Sequence, residues 1–425
     1  MKHSGNSTVS EYKIPGTSTM LDSETARPVG RRAAALLFVI LTALSMRVLA
    51  IAVRRDTLLT EESPLLYNAA TLSFNYFDFG FIRRGLGGSI VYVLGTDRLL
   101  ATAAFHVLSA VCVSAAACWF VAKLRRPPLQ TIALALLLVA LIMRWAEDPG
   151  RTDMAVAAVI GLAAIAAVAG RPVLACLCVA VGLAMHETSF VFGIPLLAGL
   201  WLDQARRRNF SARAVLGSVA ILLAGLVAYL SFERLPHADP QAMADVVRSR
   251  LPRHEYVDWA IYFAISGTRG VSTSLCQNAG DPTYLMHVVT GVLVIALFIL
   301  TLRDRQGPSV QAALVVSVPP LLFLSVVAND ISRWALLAAF NVWVLCAADP
   351  GERAPSRAAL AWLQVCLAAL IVPLIHPRTG RIADPIFAPT PVIERIAQDL
   401  GGAQTPRFAM VLTRCDPGWH SVLGD

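Results

Sequence analysis

The chain has 425 residues, of which 56% are hydrophobic and only 15% are charged, and its formal net charge is +8. Because soluble globular domains carry roughly 25% charged residues, this composition excludes a protein surrounded by water and predicts an all-α integral membrane protein. No nucleic-acid-binding motif accompanies the basic charge, so nucleic acid is not an expected partner.

Apolar runs recur along the chain, and most approach the ~20 residues that a helix needs to cross a membrane. They predict about eleven transmembrane helices, at 33–53, 99–122, 130–143, 154–169, 172–185, 188–202, 214–232, 288–302, 310–328, 334–348 and 359–374. Lys and Arg cluster in alternate connections, which indicates that those connections face the cytoplasm. The expected organisation in the cytoplasmic (inner) membrane is a disordered cytoplasmic tail, a helical transmembrane domain and an extracytoplasmic C-terminal segment, at 1–30, 31–376 and 377–425 respectively.

The first outer connection, residues 54–98, is far longer than two helices require. Asp56, Glu61 and Glu62 stand near its start, and Ser63 followed by Pro64 is a typical helix beginning. Apolar residues then recur at helical spacing to about position 75, which predicts an amphipathic helix on the outer membrane surface.

The string FDFGFIRRGLGG follows at residues 77–88 and contains Asp78. Arg83 and Arg84 are followed by three glycines, which would allow a bound group to approach the backbone closely. Guanidinium groups beside exposed backbone N–H groups suit phosphate oxygens, so the pattern predicts a phosphate site. The alternative interpretation is an arginine pair that anchors to lipid headgroups.

Further charged residues fall on the same predicted outer side. Arg151 lies in the connection at 144–153, where a solvated turn is the alternative interpretation. His186 and Glu187 stand between two short apolar runs, and an ionisable pair there is a functional hypothesis because placing it in a membrane is costly. The pair is not a metal site by itself, so a general acid, a general base or an orienting pair is expected. Asp330 and Arg333 follow the ninth run.

Two cysteines also lie in predicted outer segments. Cys276 is in the long connection at 233–287, for which amphipathic outer helices are expected, and Cys415 is near the C-terminus. Because the outer compartment is oxidising, these cysteines are a candidate disulfide.

Acidic residues, arginines and aromatic rings gathered at the outer face describe a site for a phosphorylated lipid and a polar acceptor. We therefore expect an integral membrane glycosyltransferase of cell-envelope polysaccharide assembly. Its partners would be a polyprenyl-phosphate-linked sugar, a glycan or lipid acceptor and membrane lipids. In that reaction a carboxylate deprotonates the attacking hydroxyl, and arginines neutralise the departing phosphate. No cofactor is evident from the sequence. A divalent cation is the cofactor that glycosyl transfer of this kind could use.

The long first outer loop with Asp56, Glu61 and Glu62 resembles that of multi-span lipid-dependent glycosyltransferases of the GT-C type. The outer Arg and Asp positions are also similar to those of O-antigen polymerase and EpsG-like polysaccharide polymerases, namely Arg83, Arg84, Asp330 and Arg333. The GT-C resemblance implies that the base is Glu61 or Glu62, with Asp56 or Asp78 as substitutes. The chain departs from that pattern because it has no acidic pair directly after the first span and no soluble C-terminal domain.

Three other functions remain as alternatives. The first is an O-antigen-type polysaccharide polymerase, which acts on the same carriers. A transporter or flippase for lipid-linked glycans would instead need polar residues along a path through the bilayer midplane, where this chain has few charges. The last is a noncatalytic membrane scaffold for envelope assembly.

Overall fold

The computed structural model describes residues 27–57, 64–82, 84–123, 134–136, 138–139, 141–142, 145–146, 150–206, 212–233, 239–251, 255–265, 272–273, 275–276, 309–327, 331–348 and 415–416. Throughout this part of the chain every regular element is helical, which confirms the all-α class there. In chain order the helices are α1 (Arg27–Thr57), α2 (Pro64–Thr71), α3 (Tyr76–Phe79), α4 (Gly85–Leu94), α5 (Arg98–Lys123), α6 (Asp153–Val168), α7 (Pro172–Met185), α8 (Thr188–Arg206), α9 (Ala212–Glu233), α10 (Pro240–Arg250), α11 (Glu255–Ile265), α12 (Ser309–Val327) and α13 (Ile331–Ala348).

Among these helices, α5 alone is long and apolar enough to cross a membrane by length and composition. Other helices contain shorter apolar stretches of 10–17 residues, at Ala34–Arg47, Gly85–Leu94, Asp153–Val168, Pro172–Met185, Thr188–Leu202, Leu216–Ser231, Leu314–Leu324 and Arg333–Ala348. The expected runs at 288–302 and 359–374 lie outside the described residues. The figure of about eleven spanning helices therefore stays a prediction.

The main apolar core is built around α6, which packs against α5, α7, α8 and α13. Small side chains on α6 let its neighbours approach closely. At Gly161, for example, an added Cβ would lie only 3.0 Å from the Cβ of Ala116 on α5. The buried rings of Phe340 and Trp343 on α13 fill the remaining space. This close packing gives a rigid frame to the connections at the ends of α6.

A second, smaller core joins α2 to the hairpin of α10 and α11. Asp239 accepts a hydrogen bond from the Gln241 N–H at the start of α10, where Pro240 is the first helical residue. Ala69 and Ala70 of α2 share a buried apolar cluster with α10 and α11. This cluster holds the apolar side of α2 in place. The polar residues of α2, Tyr67, Asn68 and Thr71, lie outside the buried part of this cluster.

The predicted surface helix begins at Pro64 as expected but ends at Thr71, four residues before the expected end. Asn75 explains the early end, because its side-chain oxygen accepts hydrogen bonds from the N–H groups of Phe77 and Asp78 and caps α3. Asn in that role competes with continuation of a helix. The chain therefore turns at residues 72–75 and enters α3 and α4.

Candidate functional site

Four basic residues that the sequence singled out line one cleft, although they come from four separate parts of the chain. Arg84 lies before α4, Arg151 before α6, His186 between α7 and α8, and Arg333 in the first turn of α13. The cleft encloses about 460 Å³ of empty space, part of it open to solvent. Its other lining residues are Tyr67, Asn68, Thr71, Leu72, Gly150 and Thr152.

Arg84 is held in the cleft by a carboxylate from a distant connection. Its Nε donates a 2.8 Å hydrogen bond to Oε2 of Glu187. The other oxygen of Glu187, Oε1, accepts a 2.7 Å hydrogen bond from the Tyr229 hydroxyl on α9. Both carboxylate oxygens of Glu187 are therefore engaged, which suits an orienting role better than that of a general base.

Arg333 has a carboxylate partner of its own on another wall of the cleft. Its Nε and Nη2 both donate to Asp153, whose side chain is only 4% exposed at the start of α6. The Arg333 guanidinium also lies over the ring of Trp334, 4.8 Å from the ring centroid. A bidentate pair of this kind fixes the plane of the guanidinium group, so Arg333 keeps a defined direction.

His186 ends α7 in an extended backbone conformation, and α8 begins two residues later. Its Nδ1 accepts a 3.2 Å hydrogen bond from the Thr188 N–H and lies 3.3 Å from Oε2 of Glu187. The His186 side chain is 7% exposed, so the turn between α7 and α8 holds it firmly.

The turn before Arg151 depends on Gly150, whose φ of +85° is a conformation that favours glycine. The Gly150 N–H donates to Nδ1 of His106 on α5 at 3.2 Å. An added Cβ would lie 2.3 Å from Cγ2 of Thr102. His106 is therefore an interior histidine that fixes the backbone leading to Arg151.

The glycines after Arg84 have a packing role rather than the phosphate-binding role expected for them. Gly85, Gly87 and Gly88 are buried in the first turns of α4. A Cβ at Gly88 would lie 1.8 Å from the carbonyl oxygen of Phe74, and a Cβ at Gly85 would lie 2.3 Å from the Tyr76 ring. These glycines let α4 pack on the turn that follows α2.

Asp78 is not among the residues that line the cleft. Both of its carboxylate oxygens accept hydrogen bonds from Arg250 on α10, and Asn75 Nδ2 donates to it as well. The hydrogen bonds from Arg250 lower the pKa of Asp78 below its ordinary value. A paired carboxylate with a lowered pKa is a weak base, so this geometry argues against Asp78 as the catalytic base.

Several other candidates cannot be placed in the cleft. Glu61, Glu62, Arg83 and Asp330 lie outside the described residues, as does the side chain of Asp56. Within the described part of the chain, no group of three or more His, Cys, Asp or Glu side chains could hold a metal ion.

Sequence reasoning missed Tyr67, Asn68 and Thr71 as well as the partners Asp153 and Tyr229. The three residues of α2 recur at helical spacing, a signal that could have indicated one polar face. Asp153 lies at the end of the connection at 144–153, and its partner Arg333 is 180 residues away in the sequence. Tyr229 lies within a long apolar run, and nothing in its sequence neighbourhood marks it.

The structure joins Cys276 and Cys415, the candidate pair, by a disulfide with Cα atoms 5.7 Å apart. Beside it, the buried Tyr262 hydroxyl donates a 2.6 Å hydrogen bond to Asp416. The hydrogen bond attaches Asp416 to α11, which shares the smaller core with α2, and the disulfide joins Cys415 to Cys276.

No protein-family model, no curated protein and no solved structure matches this chain. The interpretation of the cleft therefore depends on its own chemistry. Three arginines line it, of which Arg84 pairs with Glu187 and Arg333 pairs with Asp153. Guanidinium groups match the oxygens of a phosphate, so a cleft lined by three of them suits a phosphorylated ligand.

Proposed function

We propose that this chain is an integral membrane glycosyltransferase of the cytoplasmic membrane. In this proposal it has about eleven spanning helices, and the cleft opens to the outer face. There it transfers a sugar from a polyprenyl-phosphate carrier to a glycan or lipid acceptor in cell-envelope polysaccharide assembly.

The observation that carries the proposal is the meeting of Arg84, Arg151 and Arg333 in one cleft with His186. The distribution of Lys and Arg in the loops predicted that all four lie on the outer side. That prediction used no distances between them. The closeness of these side chains therefore supports a common site independently of the topology argument.

The reaction assigned to this site is substitution at the anomeric carbon of the sugar. The acceptor hydroxyl oxygen forms a bond to that carbon, and the bond between the carbon and the carrier phosphate oxygen breaks. The electron pair of the broken bond leaves with the phosphate, whose charge the arginines stabilise. The hydroxyl proton passes to a carboxylate.

We assign the base role to Glu61 or Glu62. Glu187 and Asp78 are already engaged in ion pairs, and Asp153 pairs with Arg333. In the sequence, the two glutamates come immediately before α2, the helix that supplies Tyr67, Asn68 and Thr71 to the cleft. A base near that helix would complete the site.

The test compares cells that produce wild-type protein with cells that produce Arg84→Gln or the double variant Glu61→Gln/Glu62→Gln. We expect each substitution to lower incorporation of the transferred sugar by at least about tenfold, because a charge-stabilising donor or the base is lost. Linkage analysis of envelope polysaccharide measures the product, and mass spectrometry of lipid extracts should show the lipid-linked sugar accumulating. Arg171→Gln, in a predicted cytoplasmic connection, is the matched control and should leave both unchanged.

Unchanged polysaccharide in Arg84→Gln cells and in Glu61→Gln/Glu62→Gln cells with normal protein levels would contradict the enzyme proposal. Accumulation of the lipid-linked sugar only in the inner leaflet would favour the transporter alternative instead.

A further inference from the structure

Arg84 occupies an unusual backbone position at the edge of the cleft. Its φ of 61° makes it the only residue other than glycine in the left-handed region within the described chain. Such a conformation is energetically unfavourable and persists where surrounding contacts enforce it. The Arg84 side chain makes no capping hydrogen bond at the start of α4, so helix capping does not explain it.

The Arg84 side chain forms an ion pair with Glu187. The Arg84 side chain is 33% exposed and that of Glu187 is 21% exposed, so water screens the pair only in part. Glu187 accepts a hydrogen bond from Nε of Arg84. The Nη1 and Nη2 atoms of Arg84 make no hydrogen bond to any described residue. The end of the guanidinium group is thus available at the cleft.

Tyr229 completes this arrangement from the opposite side of Glu187. Its hydroxyl donates to Oε1 while Arg84 donates to Oε2, so the carboxylate is held at both oxygens. Tyr229 lies on α9, which packs against α7, the helix that ends at His186. The phenol therefore ties the turn carrying Glu187 to a different helix of the bundle.

We infer that Tyr229 is a positioning residue of this site, which acts through Glu187 to direct the terminal nitrogens of Arg84 at the phosphate of the carrier lipid. The identity of the ligand rests on the proposed function. Loss of the hydroxyl removes one of the hydrogen bonds that orient Glu187 and so weakens the direction of Arg84. The apolar ring of Tyr229 is not needed for this role.

The experiment is a double-mutant cycle on full-length protein in detergent, with farnesyl phosphate as the probe and farnesol as its uncharged counterpart. We expect Tyr229→Phe to weaken farnesyl phosphate binding about fivefold, because it removes the hydrogen bond to the Glu187 carboxylate, which in turn orients Arg84. Arg84→Gln should weaken binding at least as much. In the double variant, Tyr229→Phe should cause no further loss, since it acts only through Arg84. Binding of farnesol should be the same in all four proteins.

Tyr92→Phe is the matched control, because Tyr92 stacks on Phe77 and lies under Arg98 away from the cleft lining. It should bind farnesyl phosphate as wild type does. Glu187→Gln provides a second route to the same site and should reproduce the loss seen in Tyr229→Phe.

Two results would overturn the inference in different ways. In the first, Arg84→Gln weakens binding, but Tyr229→Phe either has no effect or weakens binding further in the double variant. Tyr229 then has no positioning role, and the phosphate site stands. If Arg84→Gln leaves farnesyl phosphate binding unchanged, both the inference and the phosphate site of the proposed function fail.

Discussion

A side chain added at Gly150 would meet two separate obstacles. The φ of +85° disfavours any residue with a Cβ, and that Cβ would also lie 2.3 Å from Cγ2 of Thr102. We expect Gly150→Ala to destabilise the fold by roughly 3 kcal/mol, the sum of a left-handed backbone cost of about 1 kcal/mol and an overpacking cost of about 2 kcal/mol. Thermal unfolding in detergent, followed by tryptophan fluorescence, measures the change in Tm.

Gly170→Ala is the matched control for this prediction. Gly170 has a similar φ of +73°, but an added Cβ there meets nothing within 4 Å. It should show only the backbone cost, a smaller decrease in Tm. Equal decreases in the two variants would mean that the close contact with Thr102 does not constrain the turn before Arg151.

Single residues also show how far the site was predictable. Arg84, Arg151, His186 and Arg333 were found because a charge beside an apolar run is conspicuous in the sequence. Tyr229 was not, because a tyrosine in an apolar helix is ordinary and its partner Glu187 lies 42 residues away. Roles that depend on long-range pairing require distances, which no local pattern supplies.

Between elements, the ion pair of Asp78 with Arg250 joins the α3 region to α10 and should respond to acid. Hydrogen bonds from Arg250 lower the pKa of Asp78 in the folded protein below its ordinary value of 3.8. A lowered folded-state pKa means that the stabilisation is present above the unfolded-state pKa and is lost as pH falls through the folded-state pKa. We expect hydrogen-exchange protection of α10 to be constant from pH 7 to 5 and to decline below about pH 4.

The Asp78→Asn variant separates this ion pair from other carboxylates. It should show weaker protection of α10 at pH 7 and a smaller decline in acid, because the titrating partner of Arg250 is gone. Asp97→Asn is the control, since Asp97 accepts the Leu100 N–H at the exposed start of α5. If Asp78→Asn and wild type lose protection in parallel, another group controls the attachment of α10.

Elements differ in how well the sequence predicted them. The start of α2 at Pro64 was correct because serine and proline determine a helix beginning locally. Its end was not, because Asn75 caps α3 instead of extending α2. The three glycines of α4 were interpreted as a ligand-approach motif, but the close contact of Gly88 with Phe74 depends on the packing of α4. A glycine permits close approach without specifying what approaches.

For the whole molecule, the apolar core and the smaller cluster on α2 have different tasks. The core around α6 fixes the connections that carry Arg151 and His186 and the first turn of α13, which carries Arg333. The smaller cluster fixes α2, which supplies neutral polar residues to the same cleft. A change that destabilises the α10–α11 hairpin should therefore affect the wall of the cleft that α2 forms. It should leave the Arg84–Glu187 and Arg333–Asp153 ion pairs intact.

The disulfide between Cys276 and Cys415 allows the proposed topology to be tested. It closes a separation of 139 residues, for which chain entropy predicts a stabilisation of about 5 kcal/mol. We expect reductant to lower the Tm of the wild-type protein and to have no effect on Cys276→Ser/Cys415→Ser, which should already have the lower Tm. Cys112→Ser, in α5, should keep the response to reductant.

Alkylation and mass spectrometry without reduction should find Cys276 and Cys415 linked in protein taken from cells, because both lie on the proposed oxidising side of the membrane. Finding both thiols free there would contradict the outer position of these segments and, with it, the outward-facing cleft.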